Sequence, residues 1–421
     1  MSTEQTNGVP PHLARAALLV LLAAAAVAGC SCEKPIPRPV PGITAGMPLV
    51  RVKLGDDVAT LDVAITGPWS LAGPSGELAR SQSLEWTTVS IASGAVKFGD
   101  LAPVEGPIEL RPEGDGAVWL KATVGGNARE RCYRGVVRIS PTAERMLRVI
   151  NVLPMESYLA GVLANELIKS WHTEAYKAQC IAARTFALQE RNSRTRYDFD
   201  VYDTTQSQVY GGAGTETDKA WEAVRDTWGI VATMKNPGPG GKTVLLKTYY
   251  HSTCGGDTVP AGVVFGGQTP KPLSGGTKCT YCRNSPKFHW PEVVISKKDL
   301  TDALARGGGA LARLGRVQQV EVAERVSDGG RAKSIRVIGS SGLSLLVSAG
   351  HWRILAGPRR IPSTWFDIED RGDSISLVNG RGYGHGVGLC QWGAEYLARH
   401  GQKGEQILRY YYPGVELVRT Y

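Results

Sequence analysis

The chain has 421 residues and a formal net charge of +9 at pH 7. This length allows one large core or two to three domains. The positive charge suits an anionic partner such as a cell wall, a membrane surface or a nucleic acid. A compact basic cluster with interleaved aromatic residues does not occur in the sequence, so nucleic acid is the least favoured partner. A solvated basic surface explains the charge equally well.

The first 30 residues have the layout of a secretory signal. Arg15 precedes an apolar run over residues 16–28, which is too short for a comfortable membrane span. The run ends in VAGC (27–30), which is similar to a bacterial lipobox, whose cysteine is lipidated and becomes the mature N-terminus. A plain signal peptide and an uncleaved anchor are the alternatives. We therefore predict a lipoprotein signal over 1–30, lipidation at Cys30, and an exported protein anchored to a bacterial membrane and facing the cell wall or periplasm.

A proline-rich linker and a β-rich region follow the signal. Residues 31–48 contain five prolines and should form an extended, semi-rigid tether. Residues 49–145 are predicted to be a β-rich region that packs or binds and carries no chemistry. Short alternating runs broken by Gly, Pro and Asp predict its strands at 51–54, 60–65, 117–124 and 135–140, and another strand is predicted at 146–154.

A pair of helices is predicted over 156–169 and 173–191, with Thr173 as the N-cap of the second. Glu166 lies in the apolar stripe of the first helix, so its carboxylate must be paired or have a raised pKa. Two interpretations stay open on this evidence. One is a buried ion pair, for which Arg184 is a candidate, and the other is a general acid kept protonated by burial.

The next segments are more ambiguous. The polar run 198–212 suits a sugar-binding cleft or an ordinary solvated loop. Residues 220–233 indicate a helix followed by a strand. Residues 243–258 indicate a strand that enters a Gly-Gly turn. Residues 288–370 should add strands and one helix (298–306), which predicts a second lobe.

Cysteines suggest a metal site. Without Cys30, seven cysteines remain, so at least one is free, metal-bound or paired between chains. His251, Cys254, Cys279 and Cys282 make a complete tetrahedral zinc set. A disulfide from Cys254 to Cys279 or Cys282 is the rival in an exported protein. If all four residues bind zinc, the site is closed and structural. If one cysteine does not bind, the zinc keeps an open coordination position. Four cysteines remain outside this set: Cys32, Cys132, Cys180 and Cys390.

Glycine occupies every second position from 380 to 388, with His385 in the row. Alternate glycines let a backbone or a ligand approach closely. The pattern indicates a packed corner or bulge, or the wall of a binding or catalytic site. A helix-like segment follows this row directly, which favours the second interpretation, the wall of a binding or catalytic site.

Three long motifs then resemble the stage II sporulation protein D family, also called the amidase-enhancer family. They are EAYKAQCIAARTFAL (174–188), YHSTCGGDT (250–258) and GRGYGHGVGLCQWGAEYLA (380–398), and shorter matches extend the resemblance over about 133–417 in collinear order. The sequence departs from the family in having Cys390 where serine is common and Cys180 where alanine is common. Trp392 stands where the family commonly has tyrosine.

The resemblance implies work on peptidoglycan. Sporulation members are lytic transglycosylases that cleave between N-acetylmuramic acid and N-acetylglucosamine and prefer strands without stem peptides. Glu166 matches the catalytic glutamate of the family, and the four candidate zinc ligands lie where some members bind zinc. The expected sugar-binding residues are Arg184, Tyr210, His385 and Gln391, with His385 and Gln391 also candidates for orienting Glu166. A non-catalytic wall-binding enhancer of an N-acetylmuramoyl-L-alanine amidase is the alternative.

The predicted fold class is α+β, with a helical catalytic region over 146–421, β-rich flanking segments and a two-lobed body with a cleft. The expected partners are glycan strands, a membrane reached through the lipid, and possible recruitment of an amidase. The resemblance leaves open whether the role belongs to sporulation or to vegetative growth.

Overall fold

The computed structural model describes residues 46–124, 127–236, 240–327 and 330–421. The predicted signal, Cys30, Cys32 and nearly all of the predicted linker therefore lie outside the described residues. Among the helices of the described ranges, none combines the length and the apolar character needed to cross a membrane.

Two antiparallel-rich sheets dominate the first part of the chain. Alternating burial along the strands sends Val52, Leu61 and Val63 into one hydrophobic core that both sheets share with the first helices. The predicted strands are confirmed, and the set is β1 (Leu49–Lys53), β2 (Thr60–Ile65), β3 (Trp69–Gly73), β4 (Gly76–Ser81), β5 (Leu84–Ala92), β6 (Ala95–Phe98), β7 (Ile108–Pro112), β8 (Ala117–Val124), β9 (Asn127–Arg134), β10 (Val136–Pro141), β11 (Leu147–Pro154) and β12 (Val201–Tyr202).

The order of the larger sheet is β12-β1-β11-β10-β7-β3-β4, and that of the smaller is β6-β5-β2-β8-β9. Strand β11 of the larger sheet leads directly into the first helix, because Pro154 ends β11 and also stands at the N-cap of that helix.

The helices of the described residues are α1 (Met155–Glu166), α2 (Thr173–Ser193), α3 (Asp218–Asp226), α4 (Ala261–Phe265), α5 (Lys297–Ala305), α6 (Gly309–Ala312), α7 (Ala349–Ala356), α8 (Gln391–Arg399) and α9 (Gly404–Tyr411). Helix α2 is central and packs against α1, α3, α8 and α9. Its alanines at 175, 178 and 182 permit this close packing.

Two boundaries differ from the prediction. The N-cap of α2 is His172 rather than Thr173, because the His172 ring accepts from the Glu174 N–H. Helix α1 ends three residues earlier than predicted, since Leu167 has extended backbone angles (φ −119°, ψ 152°). Glu166 is therefore the last residue of α1, at an end where its side chain can meet other segments.

Residues 290–377 contain a separate hydrophobic core, which includes Trp352 and Phe366. This core falls in the range for which a second lobe is predicted, and α5 matches the helix predicted there. Its strands are β16 (Val293–Ser296), β17 (Val317–Arg325), β18 (Ala332–Gly339), β19 (Ser344–Ser348), β20 (Trp365–Asp370) and β21 (Ser374–Arg381).

Five short strands complete the fold around α2: β13 (Ile230–Lys235), β14 (Thr243–Leu245), β15 (Tyr250–His251), β22 (Leu389–Cys390) and β23 (Glu416–Arg419). The long strand predicted at 243–258 is thus two short strands that join different sheets. Helices and many strands occur together, which confirms the α+β class.

Candidate active site

Glu166 at the end of α1 is surrounded by neutral hydrogen-bond donors. The Val209 N–H donates to its Oε1 across 2.8 Å, and the Gln391 side-chain amide donates to its Oε2 across 3.3 Å. The Tyr250 hydroxyl is a third partner. Burial raises the pKa of the Glu166 carboxyl, and the three hydrogen bonds offset part of this rise. Glu166 therefore holds a proton at higher pH than an exposed glutamate does.

Strand pairing explains why Tyr250 and Gln391 meet, although 141 positions separate them in the sequence numbering. β15 pairs with β22 in parallel, with Tyr250 opposite Leu389 and His251 opposite Cys390. Gln391 follows β22 at once and is the first residue of α8. The strand pair thus places both side chains at the end of α1.

A chain of hydrogen bonds fixes the Tyr250 hydroxyl. The buried Tyr158 hydroxyl donates to Gln208 Oε1 across 3.0 Å, and Gln208 Nε2 donates to the Tyr250 oxygen across 3.0 Å. Since the Tyr250 oxygen accepts from this amide, its own proton is left to donate to Glu166. Burial and the nearby Glu166 raise the pKa of Tyr250 well above its usual value, so the hydroxyl stays protonated.

Sequence reasoning did not select Tyr250 or Gln208 as site residues. Both stood in segments already noted: Gln208 in the polar run 198–212, and Tyr250 at the start of the motif at 250–258. The signal was present, but the contacts that join them to Glu166 run between segments far apart in the chain.

His385 lies beside this arrangement. Its Nδ1 accepts from the Val387 N–H across 3.0 Å, and a ring nitrogen also hydrogen-bonds the Tyr250 backbone. Burial and the Arg331 guanidinium lower the pKa of His385 to about 3, so the ring is neutral. Among the hydrogen bonds of the described residues none joins His385 to Glu166, and Tyr250 stands between them. The structure therefore brings Gln391 into direct contact with Glu166. His385 does not contact Glu166 but contacts Tyr250, which does.

Arg184 and Tyr210 lie elsewhere. Arg184 has no exposed surface and donates to both carboxylate oxygens of Glu156, across 2.8 and 2.6 Å. Glu156 is ten residues before Glu166, or about 15 Å along a helix. The alternative of an ion pair between Glu166 and Arg184 is therefore wrong. The Tyr210 hydroxyl donates to Asn151 Oδ1 across 2.9 Å in the interior. Neither side chain offers a surface to a glycan, which corrects both as predicted substrate-binding residues.

Four buried cysteines form a cluster that can hold a metal ion. The sulfur atoms of Cys254, Cys279, Cys282 and Cys390 all lie within 4.8 Å of one another. No disulfide joins cysteines in the described part of the chain. Backbone N–H groups point at the cluster, as when the Cys254 amide donates to Cys390 Sγ across 3.3 Å. Such donors stabilise thiolates.

His251 is not part of this set, which corrects the predicted ligands. Its Nδ1 lies 3.1 Å from the Val387 carbonyl oxygen, and burial with the neighbouring His385 lowers its pKa well below the usual value. The fourth sulfur of the cluster is that of Cys390 instead. The signal for it was the cysteine at a position where the family commonly has serine.

The glycine-rich segment packs against protein. Gly388 has φ +70°, and a Cβ there would lie 2.2 Å from the Tyr249 carbonyl oxygen. At Gly382, with φ +77°, it would lie 2.8 Å from the carbonyl oxygens of Thr253 and Cys254. The segment is accordingly a packed turn-rich connection between β21 and β22 rather than a strand with a bare face for a ligand.

Comparison with known proteins gives these residues a context. A family model described as stage II sporulation protein matches residues 143–234, and a model of a domain of unknown function matches residues 278–388. An uncharacterized protein of Brachyspira hyodysenteriae is 30% identical over 384 residues, which is 89% of this chain and 94% of that protein.

Two named relatives come from Bacillus subtilis. Stage II sporulation protein D is 26% identical over 67% of this chain and 80% of its own length. A protein named amidase enhancer is 31% identical over 62% of this chain, and the match spans 40% of that protein.

Proposed function

Since the chain belongs to the stage II sporulation protein D family, we propose that it cleaves glycan strands of peptidoglycan as a lytic transglycosylase. The bond cleaved joins N-acetylmuramic acid to N-acetylglucosamine, and Glu166 is the general acid and then the general base. The observation that carries this proposal is a half-buried glutamate whose hydrogen-bond partners are all neutral donors.

The reaction needs one carboxyl group. Protonated Glu166 gives its proton to the glycosidic oxygen while the bond from that oxygen to the muramyl C1 breaks. The muramyl C6 hydroxyl oxygen then bonds to C1, and the Glu166 carboxylate takes the hydroxyl proton. The product is a 1,6-anhydro ring, and the acid is regenerated without water. A hydrolase would need a second carboxylate to activate water or to attack C1.

The neighbours of Glu166 suit both halves of this cycle. Burial favours the neutral acid that starts the reaction. The Val209 amide, Gln391 and Tyr250 stabilise the carboxylate that exists after the first proton transfer, and they hold it in one orientation. A positioned carboxyl group that alternates between the two states is what general acid–base catalysis requires.

Digestion of glycan strands stripped of stem peptides tests the proposal. Mass spectrometry should find anhydromuramyl ends with the wild type and none with Glu166→Gln, which keeps the size of the side chain. Reducing ends without the anhydro ring would identify a muramidase instead. If neither protein forms products but both bind the strands, the enzyme proposal fails.

The last outcome would favour a second candidate, a wall-binding protein that stimulates an amidase. The relative named amidase enhancer supports this candidate. Amidase release of stem peptides should then rise in the presence of this protein, and Glu166→Gln should stimulate as well as the wild type.

We also propose that the four-cysteine cluster holds zinc. Four sulfurs about 2.3 Å from one ion lie about 3.8 Å apart in a tetrahedron. The 3.4 Å between Cys254 Sγ and Cys282 Sγ and the 4.8 Å limit for the whole set fit this spacing. Zinc bound by four thiolates has no open position, so its contribution would be structural. Cys390 would connect the zinc site to the candidate active site, because Gln391 is the next residue in the chain.

Export and lipid anchoring at Cys30 are part of the same proposal, because peptidoglycan lies outside the cytoplasm. Expression in a bacterial host fed radiolabelled palmitate tests the anchor. The wild type should be labelled and found in the membrane fraction, whereas Cys30→Ala should be unlabelled. Equal labelling of the two proteins would contradict it.

A further inference from the structure

A cavity of about 550 Å³ lies between the N-terminal sheets and the loop that follows β12. We call it the N-terminal pocket, and its walls include Leu61, Leu120, Val149, Asp56, Thr205 and Arg359. Pockets of roughly 300–1,000 Å³ with a largely apolar lining are the usual size and character of small-ligand sites. The N-terminal β region was expected to pack or to bind, and this pocket gives it a specific binding capacity.

The floor of the pocket is aliphatic. Leu61 and Leu120 come from the neighbouring strands β2 and β8 of the smaller sheet, and Val149 comes from β11 of the larger sheet. Sugar hydroxyls placed on these side chains would lose their hydrogen bonds to water without replacement. Small aliphatic groups would instead bury apolar surface there, which is favourable. The floor therefore selects a ligand with aliphatic side chains over a bare glycan.

The rim carries charge of both signs. Lys53 is paired with Asp57 at 3.0 Å, and Arg131 lies 3.6 Å from Asp203. Asp56 and Arg359 are exposed, and neither has an ion-pair partner in the part of the chain that the structure describes. The pocket thus offers one available carboxylate and one available guanidinium, which is a planar donor suited to a ligand carboxylate.

We propose that the N-terminal pocket binds a short peptide with small aliphatic side chains and free termini. The peptide amino group would pair with Asp56 and its terminal carboxylate with Arg359, while its side chains lie on Leu61 and Leu120. Peptide binding goes beyond glycan cleavage. Only the natural source of the peptide, a stem peptide that an amidase has released from the glycan, rests on the proposed function.

The pocket adjoins the candidate active site through one loop. Val209 lines the pocket, and its N–H donates to Glu166. The loop is closed at its base, where the Tyr210 N–H donates to the Asp203 carbonyl oxygen across 3.1 Å. A peptide in the pocket would therefore contact the segment that also holds the acid, although its own partners are different residues.

Calorimetric titration of the full chain tests the proposal with three probes: trialanine, N-acetyl-trialanine and trialanine amide. Trialanine should bind the wild type, and blocking either terminus should weaken binding about twofold to fivefold, as for an exposed charge pair. Arg359→Ala should bind trialanine and its amide equally, and Asp56→Asn should no longer distinguish trialanine from its acetylated form. Arg313→Ala, an exposed arginine outside the pocket, should behave as the wild type.

Three results would overturn the peptide proposal. One is the absence of trialanine binding to the wild type at millimolar concentration, and another is equal affinity for all three probes. Displacement of trialanine by stripped glycan strands would also contradict it, because the pocket would then be a glycan subsite. Glu166→Gln should bind trialanine normally, so loss of glycan cleavage and loss of peptide binding are separate outcomes.

Discussion

Gln208 donates its side-chain amide to the Tyr250 hydroxyl across 3.0 Å. This bond decides where the Tyr250 proton points, because the phenol oxygen that accepts from Gln208 must donate elsewhere. The available acceptor is the carboxylate of Glu166. Tyr250 is therefore a positioning residue for the proposed acid, and Gln208 and Tyr158 set its orientation.

Replacing Tyr250 with phenylalanine removes one of the three donors to Glu166. We expect kcat for glycan cleavage to fall about tenfold to a hundredfold, toward the lower end of what acid–base positioning contributes. The lost bond favoured the carboxylate, so the pKa of Glu166 should rise further. The alkaline limb of the rate profile, where protonated Glu166 is lost, should then move to higher pH.

Steady-state kinetics of Tyr250→Phe across pH measure both effects. Tyr197→Phe is the control, since Tyr197 is an exposed tyrosine with 60% of its surface accessible. A lower rate with an unmoved alkaline limb would show that Tyr250 acts on folding or substrate binding rather than on Glu166.

Glu166→Gln should stabilise the protein near neutral pH. Burial raises the pKa of Glu166 in the folded state, so folded protein binds this proton more tightly than unfolded protein. The stability that comes from the protonated form is complete below the unfolded pKa of glutamate and is lost as pH rises through the folded pKa. Glutamine avoids that loss. Its Tm should exceed that of the wild type at pH 7, and the difference should shrink toward pH 4. An equal difference at both values would contradict the raised pKa.

Arg184 is predicted to matter for stability rather than for substrate. Its pair with Glu156 is fully buried, so Arg184→Ala leaves an uncompensated carboxylate in the interior and should cost about 3–5 kcal/mol of unfolding free energy. Arg80→Ala breaks only exposed pairs, with Glu77 and Glu113, and should cost much less than Arg184→Ala. Urea denaturation measures both, and similar losses in the two variants would refute the distinction.

Gly388 and Gly372 provide a matched test of the glycine-rich segment. Both have positive φ, +70° and +78°, but a Cβ at Gly372 would meet open space, whereas at Gly388 it would lie 2.2 Å from a backbone oxygen. Gly372→Ala should cost about 1–2 kcal/mol for the left-handed conformation alone. Gly388→Ala should cost clearly more in the same denaturation measurement. Equal costs would mean that the segment relaxes and that close packing does not require its glycines.

Local pattern was enough to predict much of the fold. Strands β1, β2, β8 and β10 follow from alternating residues, and the helices α1 and α2 follow from apolar spacing, because both signals depend on neighbours in sequence. The end of α1 was missed, since the stripe continues to Leu167 while the chain turns extended there. Glu166 could be selected because it combines an apolar position with a family motif.

The rest of the site depends on long-range pairing. Tyr250 and Gln391 meet through the β15–β22 register, and Gln208 reaches them from a loop. The same register contributes to the cysteine cluster, because it sets Cys390 opposite His251 and within hydrogen-bond distance of Cys254. Spacing alone could not rank Cys390 above His251, which is the nearer residue to Cys254 in sequence.

The zinc proposal predicts different effects of replacing Cys390 and of replacing His251. If zinc is bound by Cys254, Cys279, Cys282 and Cys390, protein purified without chelators should contain about one zinc per chain. Cys390→Ser should lower the zinc content strongly, because a serine hydroxyl is a poor replacement for a thiolate. His251→Ala should keep its zinc, as should Cys132→Ala, a buried cysteine outside the cluster.

Elemental analysis gives the zinc content, and intact mass under non-reducing conditions shows whether hydrogens have been lost to a disulfide. Zinc lost from His251→Ala but retained by Cys390→Ser would restore the ligand set predicted from sequence, and a disulfide in zinc-free wild type would exclude the metal.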